Sequence, residues 1–254
     1  MYPDVHDDLR AHRDWLLSFI RLPPGGVFAD LGCGNGADLL ALAARHSDPA
    51  ARFVGLDASE SAVASAAARA ADDPRVTVRN HRLEGGQVPL ADGSVDAVYS
   101  HNLLECIGDR EAFAREVGRV LRPGGVAVMA HWDFDSQVMD GTDRDAVRRL
   151  VHAFADWKQP WMEHADGWMG RRMWGVFAPT GLFDGTVHAR VLTNTTYAPP
   201  WYGHARVQDF GSLVRRGLAS ADDFRRVTAG LEALDRDGRY FYGITGYAYV
   251  GRRV

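Results

Sequence analysis

The chain has 254 residues, 46% of them hydrophobic, which is enough for one well-packed domain or a core domain with an inserted cap, and excludes wholesale disorder. Lysine and arginine total 29 against 33 acidic residues, so the net charge of −4 excludes a generic nucleic-acid coat. Two cysteines, Cys33 and Cys106, cannot build a structural thiolate zinc site or a disulfide-rich scaffold. No stretch approaches eighteen apolar residues, and the opening MYPDVHDDLRAHRDW lacks the apolar core of a signal peptide. A soluble protein of the reducing cytoplasm is expected, with no membrane contact.

Residues 5–20 carry Leu9, Trp15, Leu16, Phe19 and Ile20 in a roughly helical pattern that Pro23-Pro24-Gly25-Gly26 stops. VFADL (27–31) reads as a strand, followed by a glycine-rich turn and the helical run DLLALAARH (38–46). ARFVGLD is the next strand, and Ser59 is placed to cap the alanine-rich helix 61–70. RVTVRN (75–80) and VDAVYS (95–100) are further strands. Asp109 caps a helix through Arg119, and LRPGG turns the chain into a fifth strand, VAVMAHW (126–132). Strands separated by helices of this length imply a parallel sheet covered on both faces.

The regularity breaks after Trp132. Residues 142–157 look helical, with Thr142 and Asp145 at capping-box spacing. KQPWMEHADGWMGRRMWGVF is rich in aromatics, glycine and methionine but lacks a clean period. TVHARVLTNTTY (186–197) is strand-like, and the order-free string APPWYGHA separates it from a helix near 207–216. Ser220 and Asp223 form another capping-box spacing ahead of Phe224, Val227, Leu231 and Leu234. GRYFYGITGYAYVGRRV reads as two strands joined at Gly243–Gly246. The expected fold is α/β: a Rossmann-like, seven-stranded mixed sheet with helices on both faces. It forms a single domain over 1–254, with an N-terminal helical cap region (1–24) and a substrate-cap insertion after strand five (136–185).

AspLeuGlyCysGlyAsnGly (30–36) carries the strongest chemistry. A strand ending in glycines brings backbone amides and a helix start against a ligand with no Cβ in the way. Gly32, Gly34 and Ala37 also satisfy a variant of the dinucleotide fingerprint, and Asp57 could take ribose hydroxyls under either reading. Three features tilt the choice. Asp30 would oppose a pyrophosphate but attract a cationic amino-acid cofactor. Glycines at 32, 34 and 36 are spaced more tightly than the dinucleotide pattern, and the EVGRVLRPGGVAVMA segment lies downstream.

With these motifs together, the chain resembles the class I S-adenosylmethionine-dependent methyltransferases, especially the ubiquinone/menaquinone-type family. FADLGCGNG is similar to that family's first motif, GLDAS to its second-strand acid, PLADGSVDAVYSHNLLE to its fourth-strand region and LRPGG to the turn before strand five. GRYFYGITGYAYVGRR resembles its closing strand pair. The resemblance implies S-adenosylmethionine as cofactor, held by Asp30, Gly32, Cys33, Gly34 and Gly36, with Asp57 on the ribose and Ala58 beside the adenine. Ser100 and His101 would lie beside the sulfonium. The string RNHRLEGGQVP holds no clean match to the family's adenine-contacting acid.

His131 stands where the fifth strand ends, a usual ligand position in open parallel sheets, and could accept a proton near neutral pH. Asp133 or Asp135 could orient it or hold a cationic acceptor. His101, His131 and Asp133 are therefore the catalytic candidates, each weighed against an ordinary structural role; no metal set is expected. Four of the seven tryptophans, Trp157, Trp161, Trp168 and Trp174, fall within the expected cap, where they could contact a planar or cationic acceptor or form the cap's own core. The expected reaction is methyl transfer to nitrogen or oxygen of a small, aromatic or cationic metabolite, as in secondary metabolism. Carbon methylation, a non-catalytic binding protein and a nicotinamide oxidoreductase are the alternatives. Nucleic-acid acceptors are disfavoured, and a monomer or homodimer is expected.

Overall fold

The computed structural model describes residues 7–159, 162 and 166–254; Trp161 lies outside the described residues. The first part of the chain runs α1 (Asp7–Leu17), β1 (Val27–Leu31), α2 (Ala37–Arg45), β2 (Arg52–Asp57), α3 (Glu60–Arg69) and β3 (Val76–Asn80). It continues through β4 (Val95–His101), α4 (Arg110–Val120) and β5 (Leu121–Met139). The remainder is α5 (Arg144–Ala155), α6 (Met169–Phe177), β6 (Phe183–Asn194), α7 (Tyr202–Arg215), α8 (Ala221–Arg236) and β7 (Tyr242–Arg253).

The seven strands form one sheet in the order β3-β2-β1-β4-β5-β7-β6. The pairs β1–β2, β2–β3, β1–β4 and β4–β5 are parallel, with Phe28 level with both Phe53 and Ala97. β7 runs the other way: Phe241 lies by Asp140 and Arg253 by Leu121, so rising numbers on one strand meet falling numbers on β5. The order reverses at β1–β4, and the loops after the carboxyl ends of these two strands form the ligand position of an open α/β sheet.

The chain divides into two compact units. The glycine-turn unit comprises Trp15–His131, Arg172–His188 and Ala248–Val254. Its core joins Leu16, Phe28, Leu39, Phe53, Tyr99 and Val128, where strands buried on both faces are apolar without alternation. The helical unit comprises Met1–Asp14, Trp132–Arg171 and Ala189–Tyr247. There α5, α7 and α8 pack on one another around Leu150, Phe154, Val207, Phe210 and Leu231, together with Trp132.

Capping follows the sequence in part. Ser59, Asp109 and Ser220 each accept the expected first-turn amide, from Ala62, Ala112 and Asp223. At α5, however, the cap is Asp143, which accepts from the Ala146 amide, rather than Thr142. Three further expectations are corrected. The closing segment is one twelve-residue strand, not two: Gly246 is extended, and a Cβ there would come 2.4 Å from His12 Cε1 and 2.9 Å from Trp132 Cζ3. The glycine serves a close approach of rings rather than a turn. The expected order-free string already contains the start of α7, whose Tyr202 and Gly203 amides donate to Asp8 Oδ2 and Asn194 Oδ1. Finally, α6 occupies the aromatic stretch that lacked a clean period; its Met169, Met173 and Phe177 recur every four residues and are wholly buried.

Candidate functional site

The glycine turn begins where β1 ends. The Gly32 and Cys33 amides both donate to the Leu56 carbonyl, at 2.8 and 3.0 Å, tying the turn to β2. Gly32, Gly34 and Gly36 adopt φ of 75°, 53° and 76°, the left-handed region that favours glycine. Their surroundings differ. A Cβ at Gly32 would lie 3.0 Å from Leu103 Cδ1, and one at Gly36 the same distance from Ala66 Cβ. At Gly34 nothing lies within 4 Å. Packing holds the outer glycines, while the middle one faces open space that a ligand could fill.

Two acids flank this turn. Asp57, ending β2, accepts the Gly34 amide on Oδ2 and the Ser59 amide on Oδ1, each at 2.8 Å. Ala58 follows it, exposed. Asp30 is 2% exposed, and its Oδ2 has no hydrogen-bond partner. Burial, then the neighbouring Asp38 and Asp57 carboxylates, push the Asp30 carboxyl well above the usual carboxylate range, against the opposing pull of the Leu39 amide. An acid kept among acids, with an unused oxygen, could receive a cation. Cys33 is nearly buried, and burial followed by Asp30 and Asp57 raises its thiol, so it stays protonated. Its sulfur fills the space left by Gly55, where a Cβ would come 2.8 Å from Sγ.

At the end of β4 the residues part ways. Ser100 is fully buried and its hydroxyl donates to Met129 Sδ at 3.3 Å, which turns its side chain into the sheet packing. His101 is partly exposed, with Nδ1 3.8 Å from Asp38 Oδ2. Asn102 follows at φ 57°, a left-handed position that asparagine tolerates better than most residues. The fifth strand does not end at Trp132 but runs on to Met139, so His131 lies inside it rather than at its end, with no exposed surface and its Nε2 3.7 Å from Glu105 Oε2.

In the helical unit, Asp133 is fully buried and bound at both oxygens by Arg171 Nε and Nη2, each at 2.5 Å. The sequence suggests Asp133 as a group that orients His131 or holds a cationic acceptor; the structure instead joins it to Arg171 as an ion pair. Asp135 accepts the Trp168 indole N–H at 2.7 Å, and the Arg171 guanidinium lies 4.8 Å from the Trp168 ring centre. Trp157 packs at the edge of the helical core, whereas Trp168 is about half exposed. Trp174, in the glycine-turn unit, is also about half exposed. These tryptophans therefore do not share one environment. Asp38, which the sequence places only as the first residue of the helical run 38–46, emerges as the neighbour of both Asp30 and His101.

A family model described as a methyltransferase domain matches residues 29–129, the span that holds every element of the glycine turn and β4. The chain belongs to the class I S-adenosylmethionine-dependent methyltransferases. It is 35% identical over 182 residues to an uncharacterized methyltransferase of Mycobacteroides abscessus, covering 70% of this chain and 66% of that protein. It is 30% identical over 183 residues to 2-methyl-6-phytyl-1,4-hydroquinone methyltransferase of Synechocystis sp., covering 71% of this chain and 53% of that one. The crystal structure of the YcgJ protein of Bacillus subtilis shares the fold at a TM-score of 0.61 and 17% identity, covering 96% of this chain and 98% of that chain. This chain spans only 36–53% of the length of the first curated relatives it matches.

The residues of this methyltransferase domain fit the family's cofactor. Asp30 offers an unpartnered buried oxygen to an amino group, Gly34 leaves space for the ligand, and Asp57 retains acceptor capacity for ribose hydroxyls. A pyrophosphate in the same place would face Asp30, Asp38 and Asp57 together. That field opposes the dinucleotide reading.

Proposed function

We propose that this methyltransferase domain transfers a methyl group from S-adenosylmethionine to a nitrogen or oxygen of a small organic acceptor. The observation that carries the reading is Asp30, a buried carboxyl among like charges with one oxygen unpartnered. Asp30 supports the amino end of the cofactor, the Gly32–Gly36 backbone its close approach, and Asp57 the ribose. When bound, the cofactor supplies an electrophilic methyl group on a sulfonium, so the chain's main tasks are alignment and exclusion of water.

His101, which ends β4, retains some side-chain exposure, but its Nε2 is buried, so the acceptor's proton is left to solvent. His131 has no exposed surface, and the Asp133 carboxylate is occupied by Arg171, so neither of these supports a role as base. The acids at the turn favour a neutral or cationic acceptor, because an anionic one would meet the same field as a pyrophosphate. Incubation with the cofactor and panels of small amines, phenols, acids and heterocycles, read by product mass, is expected to give a methylated amine or phenol. Transfer to nucleic acid or polypeptide alone would overturn the acceptor class, and a product methylated at carbon would overturn the assignment to nitrogen or oxygen.

A further inference from the structure

Within the glycine-turn unit, the amino ends of the parallel strands hold a second concavity, at the opposite end of β1 from the cofactor cradle. An open cavity of about 700 Å³ lies where β1, β4 and β5 begin and β7 ends. Three arginines line it: Arg21 ahead of β1, Arg122 at the start of β5 and Arg252 at the end of β7. Asp96 is the one acid among the lining residues, so this wall carries a surplus of two positive charges in a chain of net charge −4. That acid is already engaged, its Oδ2 accepting the Val27 amide at 2.8 Å and Nη1 of Arg122. Arg252 donates through Nη1 to the Gly124 carbonyl at 2.6 Å. Among the described residues, Arg122 and Arg252 each commit only Nη1 within the chain. The Nε–Nη2 edge remains on both, the fork that grips an oxyanion through two parallel bonds. Arg21 is exposed and makes no ion pair among the described residues. Phe19, Leu22 and Pro23 add apolar lining, with the Phe19 ring held by Trp15 and His188 at 5.6 and 4.6 Å between centroids.

We propose that this cavity is an accessory site for a small organic phosphate, separate from the cofactor cradle. A phosphate monoester carries about two negative charges at pH 7, which matches the surplus on the wall. Its oxygens take the remaining fork edges of Arg122 and Arg252, with Arg21 as a further donor. Phe19, Leu22 and Pro23 favour a phosphate that bears an apolar body over the bare ion. A carboxylate brings a single charge and leaves one surplus arginine uncompensated. The two sites of this unit select ligands of opposite sign: Asp30, Asp38 and Asp57 gather at the cradle, three arginines at the cavity. β1 separates them, from Val27 to Leu31, by about 13 Å at 3.3 Å per residue. The phosphate therefore binds beside an occupied cradle, not in place of the cofactor, and no step of methyl transfer depends on it.

The test titrates the full chain with phenyl phosphate, inorganic phosphate and benzoate, followed by calorimetry. Phenyl phosphate should bind at least about fivefold more tightly than either of the others. Arg21→Ala and Arg252→Ala should each weaken it about tenfold, while the Kd for S-adenosylmethionine changes less than about twofold. Arg21→Ala removes no bond among the described residues, so its effect is read on an intact fold. Arg225→Ala, on α8, should change neither affinity. Phenyl phosphate that fails to bind by about 10 mM overturns the proposal. So does an affinity indifferent to both Arg21→Ala and Arg252→Ala. Competition with S-adenosylmethionine overturns it by placing the anion in the cradle, and equal binding of benzoate overturns the phosphate class. Vesicles containing phosphatidic acid form the last arm: Arg21-dependent capture tighter than phenyl phosphate would replace the soluble ligand with a lipid headgroup.

Discussion

Asp30 and Asp133 are both nearly or wholly removed from solvent, at 2% and 0% exposure, yet their surroundings are opposite. Asp133 is gripped at both oxygens by one guanidinium, the geometry in which a buried carboxylate is most completely satisfied. Asp30 has one amide, two like charges and an oxygen with no partner. The first arrangement is finished within the chain. The second is electrostatically unfavourable for the charged form and would be relieved by a cation from outside. Burial of an acid alone thus separates nothing; the sign of its neighbours distinguishes a fold-holding carboxylate from a ligand-holding one.

The largest effect expected from this contrast is at the satisfied acid. Arg171→Ala leaves Asp133 buried without its counter-charge and should destabilise the fold by about 3 kcal/mol in urea unfolding, the lower end for a broken buried pair because the guanidinium is partly solvated. Asp30→Asn should do the reverse: no loss of thermal stability, but about a hundredfold weaker cofactor binding by calorimetry, roughly 2.7 kcal/mol. A destabilised Asp30→Asn protein would break the comparison.

The same pair can be separated by pH. The Asp30 carboxyl is raised in the folded state, so above the unfolded value of about 3.9 the native chain holds a proton that the unfolded chain has released. Native stability should therefore fall as pH rises through the window up to the folded value, and Asp30→Asn should remove that slope. Cofactor affinity should rise over the same window, because a cationic amine needs the ionised acid.

Two glycines sharpen the distinction at a smaller scale. Gly246→Ala forces a methyl group against His12 and Trp132 and should lower stability by about 2 kcal/mol. Gly34→Ala should lower it by only about 1 kcal/mol, from its left-handed backbone, since no atom lies within 4 Å. Its larger consequence should be weaker cofactor binding, measured in the same titration.

What the sequence made legible is local. The strand-to-turn motif and the caps Ser59, Asp109 and Ser220 each depend on neighbours a few residues away, and they occur as read. The start of α7 was hidden because its first amides are satisfied by Asp8 and by Asn194, not by a local cap. Asp143 displaced Thr142 because two capping side chains stand next to each other and only the backbone path selects between them. Gly243 and Gly246 carried a turn signal, but the rings that require Gly246 to be small are contributed by distant residues. The Asp133–Arg171 pair spans 38 positions and the Tyr99–Asp38 bond 61, separations at which residue type gives no hint of partnership. The family resemblance supplied the donor side for the same reason that spacing could: its motif is contiguous. Nothing contiguous marks the acceptor.

The Asp57 carboxylate already bridges the amides of Gly34 and Ser59, one from the loop after β1 and one from the loop after β2. These two loops are latched to each other before any ligand arrives. A cofactor that engages Asp57 therefore shares an acceptor that is held in place, and little chain entropy remains to be lost on association. The latch also makes Asp57 a hinge pin for both walls of the cradle. Replacing it would loosen the loops as well as delete a ribose contact, so affinity should decline through a slower, less ordered encounter in addition to a weaker final complex.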